Sequence, residues 1–185
     1  MRIIGGEARG RTLVAPAGKN TRPTQDYVRE SLFNILQGRI EDVRVLDLFA
    51  GTGALALESL SRGAASAVLV DMDRAALSCI RRNIESVGVS ERCRVLARDC
   101  RSALSQLQMD GEVFDLVFLD PPYKMTQTGE LTGEMERLGL LAQEVLLVIE
   151  HRKGQDPHLP DGFEAYRKKQ YGDTEITFVR RREET

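Results

Sequence analysis

The sequence predicts an α/β domain built on a doubly wound, mostly parallel sheet. Three observations point there. From residue 43 onward, short apolar runs alternate with segments of helical spacing. A glycine turn follows the first of those runs. The last two runs have no helix between them and meet at a "GDT" turn, which makes them an antiparallel hairpin at one edge.

The elements follow in order. "VRVLDLF" is the first strand, and a helix covers about Ala54 to Ser61. "SAVLVD" is the second strand, followed by a helix from about Arg74 to Val87. "CRVLAR" comes next, with a short helix near 101–108, and then "FDLVFLD". After a looser region come a helix near 130–140, "EVLLVIE", and the pair "FEAYRKKQYG" and "TEITFVRRR". Ahead of this body, "RIIGGEARGRTLVAPAG" has two short apolar runs divided by glycine and charge and reads as a β-hairpin. Thr24 is placed as a helix N-cap. Apolar residues recur at Val28, Leu32, Ile35 and Leu36, and Gly38 ends that helix. The division expected is a basic hairpin arm over 1–23 and a catalytic domain over 24–185.

Composition narrows the class. The chain has 185 residues, 42% of them hydrophobic, and no Trp, so aliphatic side chains must fill one sizeable core. Cys79, Cys93 and Cys100 form neither a metal-ligand pattern nor a disulfide framework, and His151 and His158 have no Cys or His beside them; no metal is expected. No window approaches the roughly 20 apolar residues of a membrane span, and a cytoplasmic location is expected. Charge is uneven. Residues 1–29 carry six cations against two acids, a net +4, so with −2 overall the other 156 residues sum to −6. A basic arm on an acidic body suits a polyanionic partner.

The first candidate site is the glycine turn in "VLDLFAGTGALALESL". It places Asp47, Gly51 and Gly53 at the carboxyl end of the first strand, where open α/β sheets bind ligands. Asp71 ends the second strand, where a carboxylate can accept hydrogen bonds from ribose hydroxyls. Asp99 follows the third strand and can meet an adenine amine. Phe49 and Cys100, beside these residues, are assigned to the same cofactor site. For Asp71 and Asp99, helix capping is the competing role. The run from Gly51 to Ala56 also fits a dinucleotide turn, but Asp47 would repel a pyrophosphate. The same carboxylate favours an ammonium group, which points to S-adenosylmethionine, leaving S-adenosylhomocysteine as product.

The second candidate site is "FLDPPY". Asp120 closes the fourth strand on the same sheet edge, and Pro121 and Pro122 stiffen the backbone after it. Asp120 and the Pro121 carbonyl can accept the two N–H bonds of a planar amine while Tyr123 stacks on its ring. Acceptors placed out of the ring plane favour a tetrahedral nitrogen and free its lone pair for methyl transfer.

Together, the glycine turn and the Asp120-to-Tyr123 loop resemble the amino-methyltransferases of the Rossmann-like, S-adenosylmethionine-dependent class I. More closely, the whole chain resembles the bacterial RsmD family, which methylates N2 of a guanine in 16S ribosomal RNA. "MRIIGGEARGRTL", "TRPTQDYVRESLFNIL", "VLDLFAGTGALALESLSRGA" and "DLVFLDPPY" carry the resemblance, with Arg22-Pro23-Thr24 the characteristic "RPT". The resemblance implies a seven-stranded sheet with a reversed last strand and a monomer acting on ribosomal RNA, within an assembling small subunit, at guanine 966. Arg2, Arg9, Arg11 and Arg22, with Pro23 and Thr24, would then hold the RNA, the arginines through phosphates. Three alternatives stay open: adenine N6 as the methyl acceptor, a glutamine amide as the acceptor, and a non-catalytic RNA-binding assembly factor.

Overall fold

The computed structural model describes residues 1–17, 23–122 and 124–185, with the backbone alone at 23 and 24. Seven strands form one sheet in the order β3-β2-β1-β4-β5-β7-β6. They are β1 (Arg44–Asp47), β2 (Ser66–Asp71), β3 (Cys93–Ala97), β4 (Phe114–Leu119), β5 (Leu141–Arg152), β6 (Phe163–Tyr171) and β7 (Thr174–Arg181). The first five pair in parallel, and β7 runs antiparallel between β5 and β6. The expected seven-stranded sheet with a reversed last strand is therefore present. Strand order reverses between β1 and β4, so a crevice opens where those two strands end.

Among the described residues, five α-helices cover the two faces: α1 (Pro23–Ile35), α2 (Ala54–Ser61), α3 (Arg74–Val87), α4 (Cys100–Met109) and α5 (Thr128–Arg137). The period-2 alternation of each strand sorts its side chains between two apolar layers. Val45, Leu116 and Phe118 join Leu32, Phe33, Leu57 and Ile80 on one side. Leu46, Val117 and Leu119 join Leu104, Leu107, Leu131 and Met135 on the other.

The helix ends follow local chemistry. Asp73 caps α3 by accepting the Ala76 amide at 2.9 Å, and Gly88 ends it at φ 77°. The start of α1 differs from expectation. The helix begins at Pro23, so Thr24 lies within its first turn instead of capping it. Proline suits that position because its fixed φ is helical and its missing N–H had no partner there.

The N-terminal segment makes a narrower hairpin than two regular strands. Its one bridge pairs Arg2 with Thr12, extended by Ile3 N–H to the Arg11 carbonyl and Leu13 N–H to the Met1 carbonyl. Ile3 and Leu13 point into the first apolar layer. Burying each stabilises by about 1.5–3 kcal/mol. Glu58 on α2, fully buried, accepts the amides of Ile4 at 2.9 Å and Gly5 at 2.8 Å. Its charge is matched by Arg62 Nε at 2.9 Å and, more distantly, by Arg29 Nε at 3.8 Å. Gly6 brings the backbone so close to α2 that a Cβ there would lie 1.9 Å from the Ser61 carbonyl oxygen.

Candidate active site

Asp47 and Asp120 stand where β1 and β4 end, at the point where the strand order reverses. Asp47 ends β1 and is paired in register with Phe118. It is 1% exposed, and neither carboxylate oxygen makes a hydrogen bond. The Ala56 and Phe49 amides lie near enough to favour its charge, without the geometry of a hydrogen bond. Burial, opposed by those amides and reinforced by Asp71, pushes its pKa up to about 7. A buried carboxylate without a partner is costly, and one aimed at a ligand crevice fits a cationic group.

The turn after Asp47 is built for close approach. Gly51 and Gly53 adopt φ of 59° and 82°. A Cβ on Gly53 would meet Leu69 Cδ2 at 3.0 Å, whereas the space beside Gly51 is open. Asp71 fixes the turn: one oxygen accepts the Gly51 amide at 2.8 Å and the other accepts the Asp73 amide at 2.9 Å. Phe49 is half-buried against the second apolar layer, as is Cys100. Burial raises the Cys100 thiol pKa, so it is held as a neutral wall group. Asp99 is the N-cap of α4. It accepts the Ser102 amide at 3.0 Å and the Ser102 hydroxyl at 2.7 Å, which hold its carboxyl below the usual range.

Asp120 stands on the β4 side. Solvent reaches it, yet protein surrounds it on most sides, as suits the floor of an open recess. Pro121 and Pro122 line the same recess, and Tyr123 lies outside the described residues. The Pro122 carbonyl accepts the Met125 amide at 2.8 Å, which closes the loop into a turn. The recess also holds Glu150, a residue that the sequence alone did not single out. Parallel register pairs Leu119 with Ile149, so the next residues, Asp120 and Glu150, stand side by side. Their carboxyl groups are close enough to influence one another's ionisation. Burial first, then Glu150, then Asp47 push Asp120 well above the usual carboxylate range; burial raises Glu150 as well. The signal for Glu150 was present: "EVLLVIE" ends in a carboxylate, as "VLVD" and "FLD" do.

The comparisons with known proteins agree with this geometry. A family model described as "Conserved hypothetical protein 95" matches residues 1–180. The ribosomal RNA small subunit methyltransferase D of Escherichia coli K12 is 40% identical over 173 residues, spanning 93% of this chain and 85% of that protein. The chain belongs to the ribosomal RNA small subunit methyltransferase D family. The solved structure of yhhF from Escherichia coli, 39% identical, aligns with a TM-score of 0.85 over 98% of this chain and 97% of that one. SMU.776, solved in complex with SAH, shares the fold: 16% identity, TM-score 0.68, 85% of this chain and 49% of that one.

In this chain of the methyltransferase D family, the N-terminal segment also presents an exposed, basic surface. Arg2, Arg9 and Arg11 all point outward while Ile3 and Leu13 anchor the segment. Arg22 lies outside the described residues, as do the side chains of Pro23 and Thr24. The segment also touches the glycine turn. The Asn83 amide donates to the Val14 and Thr52 carbonyls, each at 2.9 Å, and Thr52 Oγ1 reaches Met1 Sδ at 3.6 Å. Among the described residues, one other cluster brings possible metal ligands together, His151, Asp156 and Glu175. Two of its groups have other partners: His151 the Arg152 carbonyl and Thr177 Oγ1, and Asp156 the Lys168 ammonium. No helix among the described residues is long and apolar enough to cross a membrane.

Proposed function

We propose that this chain transfers a methyl group from S-adenosylmethionine to the exocyclic N2 amine of a guanine in 16S ribosomal RNA. The observation that carries the reading is the buried Asp47 carboxylate. It has no hydrogen-bond partner, stands at the carboxyl end of β1 and is near enough to Asp120 to raise that residue's pKa. Carboxylates at these strand ends, beside a glycine turn, fit a cationic nucleoside. The solved complex of SMU.776 with SAH, on the same fold, supports that choice.

The residues that would hold the cofactor are Asp47 for its ammonium, Gly51 and Gly53 for close backbone approach, and Asp71 for the ribose. Phe49, Asp99 and Cys100 would wall the base. When bound, S-adenosylmethionine supplies a methyl group on a positively charged sulfur. Asp71 already spends one lone pair of each oxygen on the Gly51 and Asp73 amides, which leaves further lone pairs for ribose hydroxyls. Asp99 is held by Ser102 in one rotamer, so capping and a contact to adenine are compatible.

Asp120 and the Pro121 carbonyl accept the two N–H bonds of the guanine amine, with the Tyr123 ring on the base. Those acceptors draw the nitrogen toward a tetrahedral shape and aim its lone pair. As the new N–C bond forms, the nitrogen becomes strongly acidic, and Asp120 or water takes its proton. The outward arginines of the N-terminal segment hold RNA phosphates, and the target guanine is turned out of its stack. The name of the Escherichia coli relative, a small-subunit ribosomal RNA methyltransferase, supports this substrate.

The deciding experiment is transfer of labelled methyl to 16S ribosomal RNA, free and in small-subunit particles, from cells lacking this protein. The modified nucleotide is then mapped, with guanine 966 the expected position. Label on wild-type reactions and none with Asp120→Ala is the expected result. Label on adenine, or on protein alone, would overturn the substrate; equal labelling by the variant would remove Asp120.

A further inference from the structure

Four strands carry a carboxylate near this edge of the sheet: Asp47 and Asp71 end β1 and β2, Asp120 follows β4, and Glu150 lies inside β5, two residues before its end. The sequence and the proposed reaction account for the first three. Glu150 has no part in either, although it lines the same recess as Asp120. We propose that Glu150 is a positioning residue, which holds the Asp120 carboxylate toward the incoming amine through one proton that the two side chains share.

Geometry is the main support. β4 and β5 run in parallel register through Leu119–Ile149, which fixes residues 120 and 150 as lateral neighbours on the open edge of the sheet. Asp120 follows a strand end, and two prolines restrict the backbone just beyond it, but neither restricts its side-chain torsions. Glu150 lies inside the twelve-residue β5, paired with Ile176 of β7 and next to Ile149, the last β5 residue paired with β4, so its backbone is held within the sheet. A rigid strand therefore carries the group that orients a less rigid one, which is how supporting residues fix a reactive side chain.

The charges around the pair explain why a proton stays there. From β1, Asp47 adds a negative field at Asp120. On β5 itself, His151 opposes the rise at Glu150, and Arg152 lines the recess. From β7, Glu175 stands opposite His151. Neighbouring carboxylates do not both ionise readily, and one proton between them makes a hydrogen bond. When an amine arrives as donor to Asp120, the charged form of Asp120 is favoured, so the shared proton sits on Glu150. Glu150 is then the donor that fixes one Asp120 oxygen while the other accepts from the amine. The two titrate as a unit, and losing the last proton releases that hold.

This inference rests on the methyl-transfer reading, and its test has one arm that does not. Side-chain carboxyl titration by NMR, on the full chain labelled at Asp and Glu, is expected to show a pair with one member protonated above the ordinary carboxylate range. Glu150→Gln and Asp120→Asn should each abolish that upper step. An Asp120 titration identical in wild type and Glu150→Gln would overturn the pairing, whatever the protein methylates. The second arm is single-turnover methyl transfer to small-subunit particles as a function of pH. Wild type should slow as pH rises through the upper step. Glu150→Gln, whose amide donates at every pH, should stay close to the wild-type rate below the step and lose the alkaline fall. Glu150→Ala should be slower at every pH, by roughly tenfold to a hundredfold, as displacement of a positioned group predicts. A wild-type rate in Glu150→Ala, or an unchanged alkaline fall in Glu150→Gln, would overturn the role. Absence of transfer by wild type would count against the proposed reaction, while the titration would still decide the pairing.

Discussion

The Asp71 carboxylate accepts the Gly51 amide at 2.8 Å, so the end of the second strand clamps the glycine turn that follows the first. Twenty residues separate the two in sequence. The same carboxylate holds the Asp73 amide, at the N-cap of α3. One side chain thus fixes two loops of the proposed cofactor site before any ligand arrives. Asp71→Ala should weaken binding of S-adenosylhomocysteine by roughly tenfold to a hundredfold, the range for losing a hydrogen bond to a charged group. Asp71→Asn keeps one acceptor oxygen and should fall between. Isothermal titration calorimetry measures both, and an unchanged affinity in Asp71→Ala would show that the clamp is dispensable.

Asp47 makes a prediction that depends on pH. Its folded pKa of about 7 lies above the ordinary 3.8, so between those values the folded protein binds more protons than the unfolded chain. Stability therefore declines as pH rises through that window, and the full cost, on the order of 4 kcal/mol, is present above pH 7. Asp47→Asn removes the charge and should raise the thermal midpoint at pH 8 while leaving it little changed at pH 4. An ammonium ligand has the opposite preference and favours the ionised form. Binding of S-adenosylhomocysteine near pH 6 should release protons in wild type, seen as heats that vary with buffer ionisation enthalpy. Asp47→Asn should release none and bind more weakly. A variant that is both more stable and weaker in binding would mark Asp47 as a residue kept for the ligand.

The same residues show how much could be read without coordinates. The strands were legible because their alternation is uninterrupted: Leu116 and Phe118 take one layer and Val117 and Leu119 the other. Asp47 and Asp120 were legible because they stand at the carboxyl ends of the two strands between which the sheet order reverses, where ligands bind in this topology. Asp71 was half legible. Its place at the sheet edge follows from "VLVD", but its bond to Gly51 is a tertiary contact. Glu58 and Asn83 were not legible at all. In "ALESL" and "RRNIES" they look like solvent-facing helix positions, and only the N-terminal segment lying across them explains a buried carboxylate and a buried amide. Thr24 misled for a different reason. A threonine ahead of a periodic run is a good cap, but Pro23 is also a good first helical residue, and the helix took the earlier start.

Gly6 tests whether that N-terminal segment is part of the fold. Its φ is 78°, and an added Cβ would lie 1.9 Å from the backbone oxygen of Ser61, which cannot swing away as a side chain would. Gly6→Ala should lose roughly 2–3 kcal/mol of stability from strain and displaced packing. Chemical denaturation gives the magnitude. Limited proteolysis should show earlier cleavage before residue 17. A variant as stable as wild type would mean that the segment can lift from α2 at little cost.

The arginines of that segment carry the last prediction, which separates anchoring from substrate binding. Anchoring falls to Ile3, Leu13 and the amides of Ile4 and Gly5, together with the Val14 hydrogen bonds to Asn83. The Arg2, Arg9 and Arg11 side chains are exposed, and removing them leaves that anchoring in place. The Arg2 carbonyl, which accepts from Arg29, is backbone and survives substitution. The triple change of Arg2, Arg9 and Arg11 to Ala should therefore leave the unfolding midpoint and S-adenosylhomocysteine affinity unchanged. RNA affinity should fall, and the slope of log affinity against log salt should become shallower by about 0.7–0.9 for each phosphate that is no longer neutralised. Filter binding of 16S ribosomal RNA across a salt series measures that slope. If affinity fell with no change in slope, the arginines would be acting other than through phosphates. If cofactor affinity fell in parallel, the approach of Met1 to Thr52 would extend to these side chains, and the segment would belong to the cofactor site rather than to the RNA surface.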